Sequence, residues 1–253
     1  MLSVRVVKIG GQELDRPDWL AACARGVKPL EPVVIVHGGG HAVSALSRRL
    51  DLAVEKQGGL RVTTPPVAAV VELALAGPVN RAVVAALRQA GLDALGLSGV
   101  DGGLLTARPA AGGLGHVGEI AAVRSALLER LLLADLTPVI APMAPGAEGG
   151  VPLNVNADEA AAAVAGALQA VELLFVSDVP GVQLHGVVQP ALDAAEIETL
   201  IELGAATDGM AVKLRAAAAA LRAGARAVRI GDLQLLGHPS AGTRILSPAG
   251  QPA

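Results

Sequence analysis

Aromatic side chains are almost missing from this 253-residue chain, which has one Trp, one Phe and no Tyr. Surfaces that bind nucleic acid stack bases on aromatics and meet phosphates with clustered cations. This chain has a net charge of −3 and no basic stripe, so nucleic acid and an anionic membrane surface are poor partners for it. A single cysteine, Cys23, excludes an internal disulfide, fits a reducing compartment and reads as a small core residue in a helix. The start of the chain lacks the charged, apolar and small-residue order of a signal peptide, so a cytoplasmic location is expected. Hydrophobic residues make up 52% and mean hydropathy is +0.53, yet no uninterrupted apolar run reaches the roughly 18 residues of a membrane span. The alanine run Ala216–Leu221 sits between arginines. The apolar excess is Ala, Val and Leu, which implies a deep aliphatic core in one large domain or two small ones.

Short aliphatic runs alternate with longer helical ones. Val4–Ile9, Val33–His37, Ala94–Ser98, Pro138–Ala141, Leu173–Ser177 and Ala227–Ile230 read as strands. They are apolar throughout, as in a sheet covered on both faces. Helices are expected at about 16–26, 40–50, 66–90, 121–134, 157–169, 193–203 and 209–223. Asn156 or Asp158 can cap the helix that follows, and Gly91, Gly204 and Gly224 stand where left-handed C-caps are wanted. This alternation predicts an α/β sandwich with a doubly wound, mostly parallel sheet. Glycine- and proline-rich turns at 109–115 and 145–152 suggest hairpin or lid excursions. Ligands of such sheets bind at the carboxyl ends of strands, where Gly10-Gly11, Gly38-Gly39-Gly40, Gly96/Gly99 and Ser177-Asp178-Val179-Pro180-Gly181 are found.

Only four of the 20 basic residues are lysine: Lys8, Lys28, Lys56 and Lys213. Lys8 lies inside a buried strand, where a charge needs an anionic partner, either a structural carboxylate or a bound phosphate. Lys213, one turn into a helix, is either a solvated helix lysine or a second cation for the same site. Lys28 and Lys56 flank turns and read as surface residues. The glycine triplet joins a strand to a helix, where bare backbone N–H groups form an anion site. Preceding it, His37 reads as a strand-end residue rather than a catalyst. Arg61 could clamp a carboxylate bidentately or lie on the surface. Asn154, Asn156 and Asp158 form an N-cap motif, a ligand contact, or both. Asp178 is a turn residue or a ligand contact. Neither nucleotide fingerprint is present: no G-x-G-x-x-G lies in strand–helix context, and no lysine precedes Ser or Thr as in a Walker A loop. Metal-ligand spacing and the G-x-S-x-G elbow are also absent, which ranks metalloenzyme and hydrolase readings low.

Taken in order, KIGG (8–11), VIVHGGG (34–40), GGLRVT (58–63), LAGPVNR (75–81), GLSGVDG (96–102), LGHVGEI (114–120), NVNADEAA (154–161), VSDVPGV (176–182), TDGMAVK (207–213) and GTRIL (242–246) resemble the amino acid kinase family over nearly the whole chain. Within the family they resemble the branch that phosphorylates N-acetylglutamate. The resemblance implies a three-layer αβα sandwich, with residues 1–170 binding the acyl amino acid and 171–253 binding ATP, which comes with Mg²⁺. Carried over residue by residue, Lys8 and Lys213 would stabilise the transition state, with Asp158 organising them and Gly10 and Gly11 beside them. Gly39 and Gly40 would offer backbone donors, and Arg61 and Asn154 would hold the acceptor. Ser177, Asp178, Val179, Pro180, Gly181 and Val182, with Thr207, Gly209 and Met210, would line the nucleotide site. No protein ligand to a metal is implied. The acceptor γ-carboxylate is already ionised at neutral pH, which agrees with the lack of a candidate general base.

Two departures stand out. Thr64-Pro65-Pro66 after Arg61-Val62-Thr63 is unusually rigid for the acceptor pocket. The first strand also begins almost at once, leaving no room for the extra N-terminal helix of arginine-inhibited hexameric members. An arginine-insensitive homodimer is therefore expected. The rival readings are a sister kinase acting on carrier-protein-linked aminoadipate and a regulatory module that has lost catalysis. A carrier-dependent enzyme would want a basic docking face, and a lapsed enzyme would have lost a lysine or Asp158; neither is so here.

Overall fold

A computed structural model describes residues 2–10, 13–146 and 152–247. Its centre is an eight-stranded sheet in the order Ala191–Asp193, Thr243–Leu246, Val228–Gly231, Glu172–Val176, Arg5–Ile9, Val33–His37, Thr137–Ala141 and Ala94–Ser98. Every neighbouring pair is parallel except Val228–Gly231 with Thr243–Leu246. All six strands expected from the sequence lie in this sheet, shifted by a residue at most at either end.

Helices cover both faces. α1 (Pro17–Val27), α2 (Gly40–Arg49), α3 (Pro65–Ala74), α4 (Asn80–Gln89), α5 (Ser125–Leu133), α6 (Ala157–Ala167), α7 (Ile197–Glu202) and α8 (Asp208–Arg222) follow in chain order. Strand alternation divides the core. Val7 and Ile9 pack with Leu20, Cys23 and Val27 of α1 and with Val83 and Leu87 of α4. Val6 packs the opposite way, with Val34, Val36 and the alanines of α6 and α8. Lys8 therefore shares the α6 face, and His37 shares the α4 face. The alanine runs of α6 and α8 let these helices approach each other and the sheet closely. Gly166 of α6 would carry a Cβ only 2.4 Å from Ala223 Cβ, just past α8.

Two expected helices begin later than the sequence suggests. Residues 121–123 belong to the strand Val117–Val123, which pairs with Leu105–Pro109 in a second, four-stranded sheet. Residue 193 ends the edge strand Ala191–Asp193. In both places alanines favour helix locally, and tertiary strand pairing overrides them. The turn at 109–115 is the hairpin connection of the second sheet. Most of the turn at 145–152 lies outside the described residues.

The 66–90 expectation resolves into α3 and α4, joined by one wide turn, Leu75–Val79, with Gly77 at φ −93°, ψ −114° and Pro78 inside it. Helical residues 65–89 are long and apolar enough to cross a membrane, but half of their most apolar window is buried inside the protein. Gly91, Gly204 and Gly224 take φ of +86°, +70° and +110° at helix ends, as their positions predict.

Candidate active site

The carboxyl ends of the central strands open onto a cleft of about 550 Å³. Its floor is an ion triad. Asp158 Oδ1 lies 2.8 Å from Lys8 Nζ, and Lys213 Nζ lies 3.1 and 3.2 Å from the two carboxylate oxygens. All three residues are about 7% exposed. Lys8 comes from the first strand, Asp158 from the first turn of α6, and Lys213 from α8. Asn156 caps α6 by accepting from the Asp158 and Glu159 N–H groups at 2.8 and 3.2 Å, which fixes the turn that aims Asp158. Phe175, in register with Lys8 on the neighbouring strand, lies under Lys213 with Nζ 5.3 Å from the ring centroid.

Two cations share one anion here, so the floor carries a net positive charge toward the cleft. Burial is the largest influence on Asp158 and opposes its charge. Lys8 and Lys213 together outweigh burial and hold its pKa below the usual carboxylate range. Burial first, and then the charge of Lys8, push Lys213 down to about 8 despite Asp158.

On one wall, Gly38 N–H donates to Ile9 O at 3.0 Å, and Gly39 O accepts from Val43 N–H. Among the described residues no backbone acceptor takes the Gly39 N–H, and the Gly40 N–H opens α2 without an intrahelical partner. Gly39 has φ +156°, and a Cβ there would stand 2.4 Å from Leu75 Cδ2, so only glycine fits. Arg61, on the short strand Leu60–Arg61, donates through Nη2 to Gly40 O (2.8 Å) and Ser44 Oγ (2.7 Å). Its Nη1 is buried without a partner among the described residues. Asn154 lies on Leu153–Val155 of the second sheet and donates to Thr63 Oγ1 at 3.1 Å.

The cleft brings together most of the residues singled out in the sequence. Lys8, Gly10, Gly39, Gly40, Arg61, Asn154, Asp158 and Lys213 line it with Ser177, Asp178, Val179, Gly209 and Met210. The Gly10 N–H is already used, donating to Val176 O at 2.9 Å. Gly11 lies outside the described residues. Pro180, Gly181, Val182 and Thr207 stand off the lining. A Cβ on Gly181 would meet Thr243 Oγ1 at 2.8 Å, and Val182 N–H donates to that same hydroxyl. Thr207 is the residue before α8, and its side chain makes no capping bond.

Sequence reasoning passed over Ser44 and Arg48 and read Lys56 only as a surface residue; all three line the cleft. Ser44 and Arg48 sit on α2 four residues apart, a one-face spacing visible only once a helix is assumed there. Lys56 is exposed, as expected, but stands at the rim.

A sequence profile of the amino acid kinase family matches residues 3–232. An acetylglutamate kinase of Chloroflexus aurantiacus is 47% identical over 248 residues, covering 96% of this chain and 97% of that one. A crystal structure of a Streptococcus mutans protein superposes with a TM-score of 0.86 at 32% identity, over 97% and 99% of the two chains. Carbamate kinase from Giardia lamblia shares the fold at a TM-score of 0.75 and 14% identity, over 97% of this chain and 99% of that one. The mainly parallel sheet, the cleft at its strand ends and these likenesses agree, and the chain belongs to the amino acid kinase family.

Proposed function

We propose that this chain is a phosphotransferase that moves the γ-phosphoryl group of ATP to the γ-carboxylate of N-acetyl-L-glutamate, a step of arginine biosynthesis in the cytoplasm. The observation that carries this reading is the Lys8–Asp158–Lys213 triad facing the free N–H groups of the glycine turn across one cleft. Phosphoryl transfer spreads negative charge over the equatorial oxygens, so fixed cations and N–H donors supply most of the catalysis. The acceptor oxygen forms its bond to the γ-phosphorus as the bond to the β,γ-bridging oxygen breaks. ADP leaves, and no proton has to move.

In this reading Arg61 and Asn154 hold the acceptor. The buried, unpartnered Nη1 of Arg61 supports that role, because an unpaired guanidinium nitrogen is costly to bury unless an anion completes it. Residues 1–170 supply the acceptor side. Residues 171–253 supply the nucleotide side, with Ser177–Val182 as one edge and Thr207, Gly209 and Met210 at the start of α8 as the other. The α8 N-terminus favours anionic phosphates there.

Asp158 is committed to both lysines, and no group of three metal-binding side chains lies among the described residues. Mg²⁺ is therefore expected on the ATP phosphates with its own waters, where it neutralises their charge. A homodimer is the expected assembly; exposed Leu50, just past the end of α2, and Leu73, on the α3 that packs against it, support an apolar contact there.

The test is a hydroxamate or coupled-ADP assay with ATP, Mg²⁺ and N-acetylglutamate, run beside Lys8→Ala and Lys213→Ala. Wild-type turnover that falls by about 10²–10³-fold in each variant is expected, as for loss of one transition-state charge partner. ATP binding without turnover of N-acetylglutamate would overturn the reading in favour of a carrier-linked acceptor or a regulatory module.

A further inference from the structure

Among the described residues the His37 and Asn80 side chains form no hydrogen bond or ion pair with the triad, yet both are fully enclosed, at 0% and 1% exposure. Asn80 opens α4 directly after the wide Leu75–Val79 turn. Its Nδ2 lies 3.0 Å from Val139 O, 3.4 Å from Leu97 O and 3.1 Å from His37 Nε2. Two carbonyls fix the orientation of this amide, because turning it over would set oxygen against oxygen. The amide nitrogen donates and cannot accept; one N–H goes to Val139 O and the other to Nε2, with Leu97 O the longer contact, so Nε2 is bare and Nδ1 carries the proton. Nδ1–H donates to Gly38 O at 2.7 Å.

The network is asymmetric: among the described residues Asn80 Oδ1 has no partner in its buried position. An unsatisfied buried acceptor is a standing cost to stability that a well-packed apolar residue would avoid. Room for it comes from Gly96, where a Cβ would lie 2.1 Å from that oxygen. Burial, most of all, holds the imidazole near pKa 4, with Lys8 adding to the effect and the Gly38 bond opposing it, so the ring is neutral in this arrangement.

The consequence for the cleft follows from the trans peptide. The Gly38 C=O and the Gly39 N–H belong to one plane and point in opposite directions. A carbonyl anchored toward the α4 side therefore turns the Gly39 N–H away from that side, toward the cleft. We propose that His37, oriented by Asn80, is a positioning residue that fixes the Gly38–Gly39 peptide so that the Gly39 N–H meets the phosphoryl group in transfer. Neither side chain touches substrate. This inference rests on the phosphoryl-transfer reading above.

The test compares three variants at His37 in steady-state turnover of ATP and N-acetylglutamate, with thermal melts of each. Asparagine places an N–H where Nδ1 stands. Glutamine reaches the Nε2 position and can still accept from Asn80, but it leaves Gly38 O without its donor; leucine removes both bonds. His37→Asn should keep kcat within about threefold, whereas His37→Gln and His37→Leu should lose about tenfold or more in kcat with little change in KM for ATP. Equal kcat in the Asn and Gln variants, or losses that track melting temperature alone, would overturn the proposal. Should the leucine variant not fold, the Asn–Gln contrast still decides. Nitrogen NMR of the wild-type ring gives a readout independent of activity: a proton on Nδ1 is expected, and a proton on Nε2 overturns the inference. Absence of wild-type turnover would instead defeat the acetylglutamate reading and leave the tautomer result standing.

Discussion

Lys213 is held between burial, which discourages its charge, and Asp158, which restores it. Its pKa near 8 means that this cation is lost as the medium becomes mildly alkaline. The expected outcome is a fall in kcat/KM for ATP as pH rises through about 8, since that parameter reports groups of the free enzyme. Asp158→Asn removes the partner that raises the lysine, so the alkaline fall should move to lower pH in the variant; a pH profile of both proteins checks it. Stability responds with the opposite sign. Between about pH 8 and 10.5 the unfolded chain holds a proton on this lysine that the folded chain has released. The Lys213 contribution to stability therefore rises with pH across that window. Asp158, with its folded pKa depressed, contributes stability above its unfolded pKa that is lost as pH falls through the folded one. The lysines were legible in the sequence because lysine is rare in this chain and one falls in a strand. Their carboxylate partner was ambiguous with a helix cap, and the structure gives Asn156 the capping role and Asp158 the ion pairs. The link from Asn80 to His37 spans 43 residues and left no local signal; His37 reads as a strand end, and only the fold brings the pair together.

Helix starts do much of the positioning in this protein. The cap of α6 aims Asp158, the glycine turn before α2 presents two free donors, and α8 begins beside the candidate nucleotide edge. Asn156→Ala should cost about 1 kcal/mol through two lost capping bonds. For a protein of this size that lowers Tm by about 2–4 °C, measurable by calorimetry. Turnover should also fall, because the first turn of α6 carries Asp158. Gly39→Ala should be worse on both counts, since the new methyl group meets Leu75 on the wide turn that also places Asn80. Elements buried on both faces were read well from sequence, because such a strand is a nearly continuous apolar run in which a residue such as Lys8 stands out. The second sheet, the Ala191–Asp193 edge and its neighbour Thr243–Leu246 were not, because these strands are short or partly exposed and Ala121, Ala122 and Ala191 suit a helix equally well.

The central sheet runs unbroken from residues expected on the acceptor side to residues expected on the nucleotide side, with Arg5–Ile9 pairing Glu172–Val176. The triad closes across it, so the cleft is prepared for an anion before one arrives. Anion binding should therefore stabilise the whole chain. A non-hydrolysable ATP analogue at about 100 times its Kd should add about 2.7 kcal/mol. That corresponds to a rise of about 5–10 °C in Tm. The rise should be much smaller in Lys8→Ala, which a thermal-shift titration would reveal.

The shortage of aromatics has a practical side. With one tryptophan and no tyrosine, near-ultraviolet emission from this protein comes essentially from Trp19. That indole lies on α1 and borders a shallow hollow shared with Ser177 and Asp178, at the edge assigned to the nucleotide. The molecule thus carries a built-in optical reporter beside its cleft. Changes in its emission wavelength or quenching would report events at that edge without any attached dye, and without a second fluorophore to disentangle.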